Sequence, residues 1–165
     1  NPGKGYRILT CKSNKKKIAV INLIGRVGMN ILSENPFIVA KDIVENLKNT
    51  VDIIVIDMHA EATAEKIALY HYLDGKVTIV FGTHTHVQTA DEEISDKGTG
   101  FLSDLGMTGP KSSVIGMDIN TSIKRFETSL PEKYKIAEGK AKLNACMFEV
   151  DDVENKVVNI VRINK

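Results

Sequence analysis

The amino-acid sequence predicts an α/β fold. Residues 52–57 and 77–81 are short apolar runs rich in β-branched side chains, which is typical of buried strands. A helical pattern precedes each run, and the order helix, strand, helix, strand is typical of an α/β core. The 165 residues suffice for one domain with its own core, and neither a linker nor a repeat divides them. Residues 1–165 are therefore predicted to form a single domain.

The elements before this core are two strands and a helix. Residues 6–11 and 17–24 are predicted as short strands joined by a turn. A helix is expected to begin at Asn35, because asparagine is a good N-cap and Pro36 suits the first helical position. Its apolar side recurs at helical spacing on Ala40, Ile43, Val44 and Leu47.

The elements after the first buried strand continue the pattern and then change character. A second helix is predicted over residues 62–73, and a third over residues 118–127. Between them lie a short strand near residues 100–103 and a glycine-rich loop over residues 106–116. In the last third, apolar and polar residues are mixed, which predicts antiparallel strands over 134–138, 140–150 and 156–163.

Charge and composition exclude several classes of function. Lysine and arginine number 22 against 21 acidic residues, so no net field favours nucleic acid or a membrane surface. The basic cluster at residues 12–17 is short and is predicted to be a solvated turn. No apolar run approaches the roughly 20 residues of a membrane span. Cys11 and Cys146 are isolated, which indicates reduced thiols and a cytoplasmic location.

Three of the four histidines stand where ligands gather in α/β proteins. His59 follows the first buried strand, and His84 and His86 follow the second. If a right-handed crossover makes these strands parallel, both ends lie at one edge of the sheet. On an extended chain, residues i and i+2 also point to the same face. Since imidazole is a common ligand of catalytic metals, the three histidines are predicted to bind metal.

Several neighbouring residues are also candidates for a role in the site. Asp57 and Glu61 either accept hydrogen bonds from the imidazoles or bind metal themselves, unless they are helix-cap or surface carboxylates. Arg26 is a candidate phosphate or substrate contact, or a surface arginine. His71 is predicted to be a packing or surface residue. Gly82 is expected to let the chain turn out of its strand.

Four segments of the sequence carry a family resemblance: 59–63 (HAEAT), 82–91 (GTHTHVQTAD), 104–110 (DLGMTGP) and 116–118 (GMD). In order and spacing they resemble the YmdB-like metallophosphoesterases. These are bacterial 2′,3′-cyclic-nucleotide phosphodiesterases of the calcineurin-like superfamily. The resemblance covers essentially the whole chain.

The resemblance implies a two-metal phosphodiesterase built as a sandwich of two mixed β-sheets flanked by helices. By the family pattern, His59 and His84 bind one divalent metal and His86 binds the other. Iron or manganese is expected, and zinc or cobalt stays open. The family's first third, which holds its proton-donating histidine, has no counterpart here. The chain is therefore expected to be the C-terminal part of such a domain, without a catalytic acid of its own.

The predicted function is hydrolysis of 2′,3′-cyclic nucleotides, or of another phosphodiester, by a hydroxide that two metals activate. One alternative is a metal-binding or interaction module without catalysis. Another is a binuclear hydrolase that acts on esters or amides. No dinucleotide or P-loop motif is present, so NAD and ATP are not predicted. A homo-oligomer is compatible with the sequence.

Overall fold

The computed structural model describes residues 3–165. Its helices are α1 (Pro36–Leu47), α2 (Thr63–Leu73) and α3 (Ile119–Thr128). Its strands are β1 (Tyr6–Thr10), β2 (Lys17–Ile24), β3 (Ile53–His59), β4 (Ile79–Thr83), β5 (Glu93–Ile94), β6 (Gly100–Leu102), β7 (Gly109–Pro110), β8 (Ala141–Lys142), β9 (Asn144–Val150) and β10 (Val157–Asn164).

A six-stranded mixed sheet organises the domain, with the strand order β1-β2-β3-β4-β6-β5. The four inner strands β2, β3, β4 and β6 are parallel, and the two edge strands are antiparallel to their neighbours. Along β3, Ile54, Ile56 and Met58 alternate into the core, where helices cover the sheet. The predicted α/β class is confirmed. The resemblance also implied a sandwich of two mixed sheets. Residues 3–165 form this one mixed sheet and two separate antiparallel pairs, β9 with β10 and β7 with β8.

Helix α1 begins as its sequence predicts. The side chain of Asn35 accepts a hydrogen bond from the Phe37 backbone N–H at 3.0 Å, and Pro36 occupies the first turn. This bond satisfies one of the amides that a helix leaves unpaired at its N-terminus. The buried face of α1 consists of Pro36, Ala40, Val44 and Leu47. Ile43 is half-buried and packs against the same core.

Replacing this cap should weaken the fold by a measurable amount. We expect Asn35→Ala to lower the free energy of unfolding by about 1 kcal/mol, because the Phe37 N–H loses its acceptor. Urea denaturation followed by circular dichroism measures the change. The matched control is Asn46→Ala, an exposed position on the same helix, which should stay within about 0.5 kcal/mol of the parent. Equal losses in both variants would contradict the capping role.

Three predicted elements differ from the observed ones. Residues 134–138 form no strand: Ile136 makes only an isolated bridge to Met117. The predicted strand 140–150 is divided at Leu143 into β8 and β9, which belong to different ladders. The predicted loop 106–116 contains the two-residue strand β7, which pairs with β8. These short segments gain their pairing from distant partners, which local sequence patterns do not reveal.

Gly82 lies inside β4 rather than at a turn out of the strand, so that prediction is wrong. A Cβ at this position would lie 1.8 Å from the backbone oxygen of Ser103 and 2.6 Å from Cδ of Lys66. Glycine is needed here because two neighbours approach the backbone closely.

The basic turn at residues 12–17 is exposed except at Lys16, whose side chain is only 14% exposed. Its ammonium donates a hydrogen bond to Asn155 Oδ1 at 2.6 Å and another to the Asp152 backbone oxygen. The hydrogen bonds of Lys16 therefore connect the turn between β1 and β2 with the turn between β9 and β10. Among residues 3–165, the helices are too short or too polar to cross a membrane.

Candidate metal centre

Two of the predicted ligands meet at the carboxyl edge of the sheet. Strands β3 and β4 are parallel neighbours, and His59 lies opposite Thr83 in their register. His84 follows directly, so that its Nδ1 lies 3.2 Å from Nε2 of His59. The two rings are nearly perpendicular, at 87°, with centroids 4.9 Å apart. The predicted convergence at the strand ends is therefore observed for this pair.

The outer nitrogen of His59 is held by a chain of hydrogen bonds. The Thr83 hydroxyl donates to Asp57 Oδ1 at 2.7 Å, so its oxygen accepts from Nδ1–H of His59 at 2.9 Å. The side chain of Asn22 donates to the other carboxylate oxygen of Asp57 at 2.8 Å. A hydroxyl has one proton, and a carboxylate only accepts. The proton of the neutral His59 ring is thus on Nδ1, and Nε2 presents its lone pair toward His84.

The outer nitrogen of His84 is held by a carboxylate. Its Nε2 lies 3.0 Å from Oε2 of Glu61, which requires a proton on Nε2. In the neutral ring this leaves the lone pair on Nδ1, the atom that faces His59. In neutral rings two lone pairs would face each other across 3.2 Å, so a cation stabilises this arrangement: either a proton, which makes the contact a hydrogen bond between an imidazolium and an imidazole, or a metal ion. Imidazoles whose far nitrogens are bound in this way are typical of metal ligands.

His86 is placed apart from this pair. Its side chain is exposed, and its Nδ1 lies 3.5 Å from the backbone oxygen of Ile115. The φ angles of His84 and His86 are 112° and 67°, so the segment is not extended. The argument that i and i+2 share a face is therefore wrong for this loop. His86 stays a ligand prediction, as the family pattern has it.

The loop after β2 reaches the same edge of the sheet. The Gly25 N–H donates to the His59 backbone oxygen at 2.9 Å. The Glu65 carboxylate accepts hydrogen bonds from the backbone N–H groups of Arg26 and Val27. Arg26 itself is exposed, so its side chain is free of the core, and its role toward substrate stays a prediction. His71 is exposed on α2 and lies against Tyr70, as expected.

Behind the histidines lies a buried ion pair that was not singled out from the sequence. Lys66 Nζ lies 2.9 Å from Oδ2 of Asp104, and the two side chains are 1% and 2% exposed. Burial by itself raises the pKa of Asp104, but hydrogen bonds from Lys66, Gly106 and Thr85 outweigh it, so that the pKa lies below its ordinary value. The sequence carries one signal for this pair. Lys66 occupies the apolar face of α2, whose other members are Leu69, Tyr70 and Leu73.

The facing nitrogens fit a divalent transition metal in donor type, since imidazole suits iron, manganese, zinc and cobalt. A complete centre needs more ligands. Within residues 3–165, no group of three or more histidine, cysteine, aspartate or glutamate side chains is placed to hold a metal ion. The described residues therefore bring two candidate ligands together and do not assemble a dinuclear site.

The sequence model of the YmdB-like protein family matches residues 1–163. The chain belongs to the YmdB-like family. This confirms the resemblance that the four motif segments carry. The YmdB-like assignment covers all the residues of the candidate metal centre.

Curated YmdB-like relatives have phosphoesterase names. The chain is 48% identical, over 162 residues, to a 2′,3′-cyclic-nucleotide 2′-phosphodiesterase of Bacillus subtilis (strain 168), covering 98% of this chain and 60% of the relative. It is 41% identical to a putative phosphatase/phosphodiesterase of Mycoplasma pneumoniae, covering 96% of this chain and 56% of the relative. The chain thus spans between 56% and 60% of the length of these two relatives.

Two solved structures share the fold over the whole chain. A hypothetical protein from Thermus thermophilus superposes with a TM-score of 0.91 at 36% identity, and 63% of that chain is covered. A novel phosphatase from Mycoplasma pneumoniae superposes with a TM-score of 0.89 at 40% identity, and 58% of that chain is covered. Both matches include 100% of this YmdB-like chain.

Proposed function

We propose that this YmdB-like protein is a metal-dependent phosphodiesterase that hydrolyses 2′,3′-cyclic nucleotides. The observation that carries the proposal is the approach of His59 Nε2 and His84 Nδ1 to 3.2 Å, while Thr83 and Glu61 bind the far nitrogens of the two rings. The names of the Bacillus and Mycoplasma relatives support a phosphoester substrate, and the former supports the cyclic nucleotide.

His59 and His84 would together hold one divalent metal, and His86 would hold a second one, as in the family. Iron and manganese are the proposed ions, and zinc and cobalt suit the same ligands. Metals bound in a pair supply a hydroxide at neutral pH and balance the charge that develops on phosphoryl oxygens.

The residues around the pair prepare it for this role. Thr83, fixed by Asp57, keeps the proton of His59 on Nδ1, and Glu61 keeps that of His84 on Nε2. In the neutral rings this places the lone pairs on the two nitrogens that face each other. Carboxylates behind a ligating imidazole also increase its basicity. Arg26 is the proposed contact for the phosphate, because its backbone lies at the same sheet edge and its side chain is exposed.

A second candidate is a metal-binding module without catalysis. It is favoured by the lack, within residues 3–165, of a group of three or more ligand side chains. Under this alternative the His59–His84 pair binds a metal whose remaining ligands are water molecules. Metal content and turnover, measured on the same sample, separate the two candidates.

The test is hydrolysis of 2′,3′-cyclic AMP by the protein expressed from its complete gene. With Mn²⁺ present, we expect turnover to the 3′-nucleotide, loss of that turnover with EDTA, and recovery when Mn²⁺ is restored. Product formation is followed by chromatography. The control substrate is p-nitrophenyl acetate, a carboxylic ester, which should not be hydrolysed above the rate in buffer.

Three results would contradict the proposal. Hydrolysis of the ester without the phosphodiester would indicate a different binuclear hydrolase. Bound manganese without turnover would indicate the binding module. Turnover that survives thorough chelation would exclude a metal-dependent mechanism. Metal per chain, measured by mass spectrometry on the same samples, establishes that manganese is bound in the second result and has been removed in the third.

A further inference from the structure

The loop that carries His84 and His86 has an unfavourable backbone. We call residues 84–86 the histidine loop. Its two histidines have φ angles of 112° and 67°, which residues other than glycine rarely adopt. Such conformations persist where surrounding contacts determine them. The residue between the histidines, Thr85, provides those contacts.

Thr85 is bound twice by one buried carboxylate. Its backbone N–H donates to Asp104 Oδ2 at 3.0 Å, and its hydroxyl donates to the same oxygen at 2.7 Å. Two backbone bonds extend the attachment: Leu105 N–H donates to the Gly82 oxygen at 2.9 Å, and Met107 N–H donates to the His86 oxygen at 3.2 Å. The segment after β6 therefore binds the chain at three points: at Gly82 in β4, at Thr85, and at His86.

Lys66 provides the charge that allows this carboxylate to be buried. Its ammonium lies 2.9 Å from Asp104 Oδ2, and both side chains are at most 2% exposed. The absence of a side chain at Gly82 gives Lys66 its path, because a Cβ there would lie 2.6 Å from Lys66 Cδ. Lys66 belongs to α2, so the attachment of the histidine loop extends from β6 to a core helix.

A buried ion pair is a poor device for stability alone. Removing two charges from water costs several kcal/mol per ion, and apolar residues of similar volume often serve the fold as well. The Lys66–Asp104 pair offers something that apolar residues cannot: an acceptor oxygen for the N–H and the hydroxyl of Thr85. The buried carboxylate therefore fixes the position of Thr85.

We propose that Lys66 and Asp104 are positioning residues that, through Thr85, hold the imidazole of His84 in the orientation that faces His59. The inference rests on the proposed function in one respect, because it takes His84 to be a metal ligand. The hydrogen bonds that the pair forms in the structure go to Thr85 and Gly106 and not to either imidazole, so it acts through the histidine loop. Its loss should therefore disorder His84 before it disrupts the sheet.

The test compares two Thr→Val variants that each remove a hydrogen-bonded hydroxyl near one end of β6. Thr85→Val removes the bond to Asp104. Thr99→Val removes a 2.8 Å bond to the Val77 oxygen and a 2.9 Å bond from the Gly75 N–H, at the amino end of β6, the end opposite to Asp104. Thr85→Ser keeps the hydroxyl and serves as the rescue variant. Circular dichroism and thermal unfolding establish that each variant is folded.

The first readout reports the side chains directly. Long-range proton–nitrogen NMR of the chain loaded with Zn²⁺, which is diamagnetic and suits imidazole ligands, should show His59 protonated at Nδ1 and His84 at Nε2. In Thr85→Val, the two ring nitrogens of His84 should move toward values averaged between the tautomers, while Thr99→Val and Thr85→Ser keep the parent pattern. The second readout is a titration with Co²⁺ alone, in which Thr85→Val should bind about tenfold more weakly than Thr85→Ser.

Unchanged His84 signals in Thr85→Val would overturn the positioning role. So would equal changes in Thr85→Val and Thr99→Val, because the effect would then follow general stability. These results do not depend on turnover. A shift of the His84 signals in a protein that hydrolyses no phosphodiester would leave the positioning role standing and overturn the proposed function alone.

Discussion

Replacing His84 with alanine is expected to lower the turnover of 2′,3′-cyclic AMP about 100-fold or more. The change removes the nitrogen that faces His59 at 3.2 Å and leaves Glu61 without its imidazole partner. Loss of a residue behind a metal ligand commonly costs between about 10-fold and 100-fold in metal affinity or activity, so loss of the ligand should cost at least as much. The measurement is kcat/KM with Mn²⁺ in the protein expressed from its complete gene.

Two further histidines complete this experiment. His71→Ala is the matched control, because His71 is exposed on α2 and its ring lies against Tyr70. It should retain the parent turnover. His86→Ala should lose more than about tenfold if His86 is a ligand of the second metal. Turnover within about tenfold of the parent would show that the assignment of His86 is wrong and would leave that of His84 intact.

Replacing Lys66 with methionine is expected to lower the free energy of unfolding by about 3–5 kcal/mol. Methionine keeps most of the side-chain volume but leaves Asp104 as a buried charge without its cation. The matched control is Lys97→Met. Lys97 also forms an ion pair, with Asp74 at 3.4 Å, but its side chain is 66% exposed, so that loss should stay below about 1 kcal/mol.

A double-mutant cycle isolates the interaction. Asp104→Asn leaves the ammonium of Lys66 buried without a counter-charge and should destabilise the protein as well. Lys66→Met combined with Asp104→Asn removes both charges, so we expect a loss smaller than the sum of the single losses. Urea denaturation measures all four proteins. Additive losses, or a Lys66→Met loss no larger than that of Lys97→Met, would be incompatible with a coupled buried pair.

The dependence of the unfolding free energy on pH should reveal the contribution of the Asp104 carboxylate. The folded-state pKa of Asp104 lies below the ordinary value of 3.8, because its hydrogen bonds outweigh its burial. Ionised Asp104 therefore stabilises the fold above pH 3.8, and this contribution disappears as the pH falls through the folded-state pKa. The Asp104→Asn protein should lose less stability than the parent over that acidic range.

Local patterns were sufficient for most of the core. The β-branched runs predicted β3 and β4, and Asn35 with Pro36 predicted the start of α1. These features depend on side chains a few residues apart, whose preferences act on the local backbone. The prediction of a strand over residues 134–138 was wrong, and the prediction over 140–150 missed the break at Leu143, because pairing there depends on Met117 and on β7, which are far away in the sequence.

The α/β class, the YmdB-like family and the meeting of His59 with His84 at one edge of the sheet all follow from the amino-acid sequence. The meeting of the histidines is predictable because parallel strands bring their carboxyl ends together whatever their side chains are. Which nitrogens face each other, and which residues bind the rings, is known only from the folded chain. Thr83 forms a hydrogen bond with His59 from the neighbouring strand, and Asp104 accepts one from Thr85 just after the end of β6. Hydrogen bonds between distant residues depend on the packing of the whole sheet, which no local pattern encodes.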